Sequence, residues 1–78
     1  MPTIIRFDRC RLVMYFDDHA PPHFHIITND GREAAYRIDT LRCWAGEPLS
    51  DAEEALAWAA LNRDTLYARW REYSEPQP

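Results

Sequence analysis

The sequence predicts an α+β domain in which a four-stranded antiparallel β-meander packs on one long C-terminal α-helix. Two observations support this fold class. The first half holds short runs rich in Ile, Val, Tyr and Phe separated by turn residues, and the second half holds apolar residues at helical spacing. Because 78 residues allow one modest core, we expect a single domain over residues 1–75 and a disordered tail at 76–78.

Turn residues separate the four predicted strands. Asp8 and Arg9 lie between the first two, and the Asp30-Gly31 step, typical of tight turns, lies between the last two. Cys43 and Trp44 could add a short edge segment. The predicted strands cover residues 3–7, 10–16, 23–28 and 32–39.

The long helix is predicted over residues 51–73. Ser50 and Glu53 have the spacing of a capping box, in which each side chain binds a free backbone N–H at the start of the helix. At 100° per residue one side of this helix is apolar and should cover the sheet. That side carries Ala52, Ala55, Leu56, Ala59, Leu66, Trp70 and Tyr73.

Alternation along the strands divides the sheet into two faces. The face toward the helix is predicted to carry Leu12, Met14, Phe16, Phe24, Ile26, Ala34, Tyr36 and Ile38. The other face should be open to solvent or to a partner, because a single helix can cover only one side. It is predicted to carry Arg11, Val13, Tyr15, His23, His25, Glu33, Arg37 and Asp39.

Charge and composition restrict the classes of partner. The formal net charge is −4 and there is no lysine, so we expect no binding to bulk DNA, although local arginines leave RNA or an acidic partner open. No apolar run is long enough to span a membrane, and the first residues show no basic region followed by an apolar core, so we expect neither a membrane-spanning nor an exported protein. Cys10 and Cys43 are too few for a disulfide framework, which favours a cytoplasmic protein.

All three histidines, His19, His23 and His25, lie within seven residues around a Pro-Pro pair. They offer acid–base chemistry, in which His23 or His25 and His19 transfer protons while Arg37 or Arg11 holds a phosphate. A metal site is the alternative, with His23 and His25 joined by His19 and by one of the carboxylates at 17 and 18. No metal and no other cofactor is favoured, and the histidines could equally be structural.

Further binding residues are predicted outside the histidine segment. Arg63 lies on the apolar side of the helix, where it could reach a phosphate or pair with an aspartate to join helix and sheet. Trp58 and Leu61 point away from that side and indicate a partner surface unless a loop covers them. Together with these, the predicted binding set comprises Arg6, Arg11, Tyr15, Arg63 and Trp58.

Three segments carry a resemblance to a known family: residues 1–6 (Met-Pro-Thr-Ile-Ile-Arg), residues 21–25 (Pro-Pro-His-Phe-His), and Asn62-Arg63 with Leu66 and Trp70. They resemble a widespread bacterial family of small single domains of unknown function. Ala20 departs from the glycine that this family often has. Members are often encoded beside another small domain, and the two have been proposed as a type II toxin–antitoxin pair.

The resemblance therefore implies a toxin-like component or partner-binding module of such a pair. Its expected partner is a small cognate protein encoded nearby, and the uncovered sheet face also suggests homo-oligomers. Two alternatives are a metal-independent ribonuclease that uses the histidine loop and a metal-binding accessory protein. Whether the protein is an enzyme stays open at this point.

Overall fold

A computed structural model describes residues 3–74 of the chain. It has five strands, a 3₁₀ turn and two helices. In chain order these are β1 (Thr3–Arg6), β2 (Cys10–Val13), β3 (His23–Thr28), β4 (Glu33–Arg37), β5 (Cys43–Ala45), the 3₁₀ turn (Ser50–Ala52), α1 (Glu53–Leu61) and α2 (Arg63–Ser74). The predicted tail at residues 76–78 lies outside the described part.

The strands form one antiparallel sheet in the order β1-β2-β3-β4-β5. The α+β class and the meander are confirmed, but the prediction of four strands is wrong by one. The added strand, β5, contains Cys43 and Trp44 and forms an edge of the sheet. It pairs with β4 through Cys43 and Ala45 across a register shift, which makes it short and irregular.

The second strand is shorter than predicted. It ends at Val13, and the chain then enters a loop in which Asp17 adopts a left-handed φ of 57°. Phe16 is therefore not part of the sheet face that packs on the helices. It is 60 % exposed, and its ring packs edge-on against Tyr73. Alternation cannot place a residue that lies beyond the end of its strand.

The predicted long helix is two helices, α1 and α2, that meet at Asn62. Asn62 has φ −132° and ψ 31°, and its side-chain amide donates to the Trp58 carbonyl at 2.8 Å. An asparagine that binds backbone groups in this way offers the chain an alternative to the helical hydrogen bond. The single-helix prediction is therefore wrong, and the sequence holds neither Gly nor Pro at the break.

The predicted capping box does not form. A 3₁₀ turn begins at Ser50, and neither this turn nor α1 has a side-chain cap at its N-terminus. Asp51 instead pairs with Arg32 at 3.2 Å and lies 3.6 Å from Arg9. Ion pairs to the turn between β3 and β4 and to the turn after β1 thus hold the helix start.

One hydrophobic core lies between the sheet and the helices. The predicted helix face is confirmed, because Ala52, Ala55, Ala59 and Leu66 are fully buried and Leu56, Trp70 and Tyr73 pack against the core. The predicted sheet face, apart from Phe16, is buried as well. Within residues 3–74, no helix is long and apolar enough to cross a membrane.

Candidate functional site

The loop between β2 and β3 brings a carboxylate to the histidines. The Asp17 N–H donates to the Tyr73 carbonyl of α2 at 3.1 Å, and the Pro22 carbonyl accepts from the Ile38 N–H just after β4 at 3.2 Å. The loop is therefore anchored to both a helix and the sheet, and the Ala20–Pro21 peptide bond within it is cis. These anchors place Asp18 over the start of β3.

Asp18, His23 and His25 form one cluster, which we call the triad. The Asp18 Oδ2 atom lies 2.9 Å from His23 Nε2 and 3.3 Å from His25 Nε2. One potential ligand atom from each residue lies within 4.8 Å of the other two. The two histidines share a sheet face because they stand two residues apart on β3, as the sequence predicts.

The triad is largely shielded from solvent. The His23 side chain is 2 % exposed, and those of Asp18 and His25 are 16 % and 19 % exposed. The His23 ring lies with its centroid 4.8 Å from that of Trp44 and 5.1 Å from that of Trp70. The sheet face that we expected to be open is therefore covered at this end, because the loop, β5 and α2 all contribute side chains there.

The second nitrogen of each histidine ring also has a partner. His23 Nδ1 lies 2.6 Å from the Pro21 carbonyl oxygen, and His25 Nδ1 lies 3.1 Å from Glu33 Oε2. Tyr15 donates its hydroxyl to the same Glu33 oxygen at 2.7 Å. Burial, followed by this hydrogen bond to the carboxylate, raises the pKa of Tyr15 to about 12, so the phenol stays protonated and keeps donating.

The electrostatic environment of Asp18 favours its charged form. Burial alone raises its pKa, but the hydrogen bond from the His19 N–H and the nearby His23 and His25 rings outweigh it, so the net pKa of Asp18 is lowered. The triad thus presents an ionised carboxylate to two ring nitrogens. Such an arrangement can hold a proton or a metal ion between its members.

His19 lies at the rim of the triad. Its side chain is 82 % exposed, and its Nδ1 atom is 3.4 Å from the other Asp18 oxygen, Oδ1. Its ring centroid lies 5.9 Å from that of Trp44. The structure therefore brings together two of the three predicted histidines as a buried pair and leaves the third at the surface.

Comparison with protein families gives one match. The model of a family described as "Domain of unknown function (DUF4160)" matches residues 10–71, which is most of the chain. The chain belongs to this family. No curated protein and no solved structure matches the chain. The family membership agrees with the resemblance to a small domain of unknown function, and the matched segment of DUF4160 contains the whole triad.

Arg37 lies across from His23 on β4. Its guanidinium, however, is held by Asp39 through two hydrogen bonds of 2.9 and 2.7 Å. The pKa of Asp39 falls to about 2 chiefly because of the hydrogen bond from Arg37. The predicted phosphate-binding role of Arg37 would require it to leave this pair.

Arg6 and Arg11 face each other on β1 and β2. They lie on the histidine face, because Arg11 stands two residues before Val13, which pairs with His25. Arg11 is close enough to Tyr15 to oppose the rise in its pKa. Among residues 3–74, neither arginine forms an ion pair.

Arg63 and Trp58 occupy structural positions. The Arg63 guanidinium donates to the Ile38 and Ala60 carbonyls, both at 3.1 Å, rather than to an aspartate. Trp58 is half-buried against the core, and its ring meets that of Phe7 edge-on with centroids 6.4 Å apart. Leu61, in contrast, is 86 % exposed.

Three residues of the site were not named as definite site residues: Glu33 and Trp44, and Asp18, which the sequence offered only together with Asp17 as a possible carboxylate of a metal site. The sequence gives partial signals for two of them. Glu33 shares the histidine face by alternation, and Asp18 adjoins His19, but nothing distinguishes it from Asp17 before the loop conformation is known. Trp44 reaches His23 only because β5 exists.

Proposed function

We propose that the protein is the toxin-like, partner-binding component of a bacterial toxin–antitoxin pair, and that its small cognate partner docks beside the triad. The observation that supports this is the placement of exposed aromatic side chains. Phe16 is 60 % exposed and Trp44 is 40 % exposed. The first lies in the loop that carries Asp18, and the second packs on His23.

Exposure of such rings to water is energetically unfavourable, and aromatic residues are typical anchors of protein interfaces. Both are also held in place: Phe16 packs on Tyr73, and Trp44 packs against His19 and His23. A rigid aromatic side chain loses little conformational entropy on binding. A partner covering both rings would also close the triad from solvent.

Co-expression with the product of the neighbouring reading frame tests this proposal. Phe16→Ala and Trp44→Ala should each weaken the complex by about 30-fold, the cost of losing an interface anchor of about 2 kcal/mol. Leu61→Ala is the comparison variant and should leave the complex unchanged, since Leu61 is more exposed but lies on α1, on the alternative partner surface suggested by the sequence. Equal binding by all three variants, or no complex with the neighbouring product, would overturn the proposal.

Self-association and RNA binding remain proposals. The same preparation can test self-association and the expected lack of binding to bulk DNA. Sedimentation of the isolated chain should give a dimer if the aromatic rings also pair two copies, and Trp44→Ala should then shift it to a monomer. Bulk DNA should bind weakly at physiological salt, because the net charge is −4.

A metal-independent ribonuclease is the second candidate, favoured by Arg6 and Arg11 on the histidine face, which form no ion pair within residues 3–74. It receives less support than partner binding, because both triad histidines contact one carboxylate and Arg37 is held by Asp39. RNA cleavage that persists in EDTA and is lost in Arg11→Gln would support it. Absence of cleavage by the wild type would remove it.

A further inference from the structure

The orientation of the two histidine rings determines what their inner nitrogens can do. His23 Nδ1 faces the Pro21 carbonyl and His25 Nδ1 faces the Glu33 carboxylate, and both of these oxygens are acceptors. These acceptors favour the tautomer in which the proton is on Nδ1. In a neutral ring this leaves Nε2 as a lone pair directed toward the Asp18 carboxylate.

Two nitrogen lone pairs that face one carboxylate oxygen are repelled by its negative charge unless a positive charge lies between them. A second proton on each ring supplies that charge, and so does one divalent cation bound to all three atoms. The second solution serves all three atoms with a single ion. It also satisfies the buried Nε2 of His23 in a single step.

We propose that Asp18, His23 and His25 form a binding site for one divalent transition-metal ion. Metal-ligating histidines usually donate their second ring N–H to a carbonyl or carboxylate, as Pro21 and Glu33 provide here. Tyr15 in turn fixes Glu33 with its hydroxyl. The inference goes beyond partner binding, and each proposal can fail without the other.

The distances within the triad suit a small ion. Bonds of about 2.0–2.2 Å to nitrogen and oxygen place tetrahedral ligand atoms roughly 3.4 Å apart. The Asp18 oxygen lies 2.9 and 3.3 Å from the two Nε2 atoms, and the three ligand atoms all lie within 4.8 Å of one another, so binding one ion requires small movements of the carboxylate and the rings. Two imidazoles and one carboxylate suit Zn²⁺, Fe²⁺, Co²⁺ or Ni²⁺, whereas Mg²⁺ and Ca²⁺ prefer oxygen ligands alone.

Three protein ligands leave at least one coordination position open. In known sites of this type, that position holds water or a substrate. Here it would lie on the side where Asp18 and His25 retain 16 % and 19 % exposure, next to His19. The site would therefore be reachable from solvent although His23 is buried.

Zn²⁺ titration of the metal-stripped protein, by calorimetry and by competition with a chromophoric chelator, tests the proposal. We expect one ion per chain. Loss of a ligand in Asp18→Asn or His25→Gln should weaken binding by more than 100-fold, and loss of the outer partner in Glu33→Gln by about 10- to 100-fold. Asp39→Asn is the matched control, because Asp39 is paired with Arg37 outside the triad.

Circular dichroism of each variant establishes that it is folded, and His23→Gln is left out because its side chain is buried. The visible spectrum of the Co²⁺-loaded protein gives a second measurement that reports ligand number directly. Unchanged affinity in Asp18→Asn and His25→Gln, or no stoichiometric Zn²⁺ binding by the wild type, would overturn the proposal. Equal weakening in Asp39→Asn would do the same.

Discussion

The Nε2 atom of His23 lies 2.9 Å from the Oδ2 atom of Asp18, and only 2 % of the His23 side chain is exposed to solvent. This contact joins the start of β3 to the preceding loop. His23 is the least accessible titratable group of the triad. Substitution of His23 should therefore affect folding as well as function.

His23→Ala should lower the free energy of unfolding by about 2–4 kcal/mol. The substitution removes a buried ring, takes from Asp18 its shortest contact and leaves the Pro21 carbonyl without the His23 ring, and an unpaired buried group costs about 1–3 kcal/mol that nearby water partly offsets. Urea denaturation measures the change. His19→Ala is the matched control and should be nearly neutral, since its side chain is 82 % exposed. Equal stability of the two variants would show that the buried contacts contribute nothing.

Arg63→Ala should destabilise the protein by about 1–3 kcal/mol, because the Ile38 and Ala60 carbonyls lose their donor. Arg63→Lys should recover only part of this loss, since an ammonium group lacks the planar fork that reaches two carbonyls. Urea denaturation again gives the values. If Arg63→Ala keeps full stability but loses partner or RNA binding, Arg63 is a binding residue and the structural assignment fails.

Gly46→Ala should cost more stability than Gly31→Ala. Both glycines have positive φ, 81° and 90°, where a Cβ adds about 1–2 kcal/mol. At Gly46 the new Cβ would also lie 3.0 Å from the Glu33 carbonyl oxygen, whereas at Gly31 no atom lies within 4 Å. Thermal denaturation compares the pair. Equal losses of stability in the two variants would mean that the backbone at the end of β5 can move to avoid the contact with the new Cβ.

Stability should fall as the pH drops from about 4 toward 2, partly through Asp39. Its folded pKa of about 2 lies below the 3.8 of an unperturbed aspartate, so its contribution to stability is present above the unfolded pKa and is lost as pH falls through the folded one. In Asp39→Asn this part of the acid transition should disappear. The effect should be small and should weaken in high salt, because the pair is exposed. Identical acid profiles for the two proteins would contradict it.

Much of the fold follows from local sequence signals. Alternation and the Asp30-Gly31 turn predict β3 and β4, and helical spacing predicts the buried alanines of α1. The helix break does not follow, because it depends on one asparagine side chain that binds the Trp58 carbonyl. Strand β5 could be suggested only as a possible edge segment at Cys43 and Trp44, since three residues at an edge carry almost no periodicity.

The candidate site is predictable only in part, because it depends on contacts between elements that local sequence patterns do not show. Strand alternation places His23 and His25 on one face, but it cannot show that loop, helix and edge strand then bury His23. The choice of Asp18 over Asp17 depends on a left-handed residue in the loop. Likewise the sequence places Arg37 and Asp39 on one face, yet only the structure shows that they bind each other rather than a ligand.

Anomalous X-ray scattering from crystals grown with Zn²⁺ or Co²⁺ tests the triad most directly. We expect one strong peak per chain, at about 2.0–2.2 Å from His23 Nε2, His25 Nε2 and an Asp18 carboxylate oxygen. The Nδ1 contacts to Pro21 and Glu33 should remain. Crystals in which the metal binds elsewhere, while Asp18 still contacts both rings directly, would show that the triad is a structural ion pair and not a metal site.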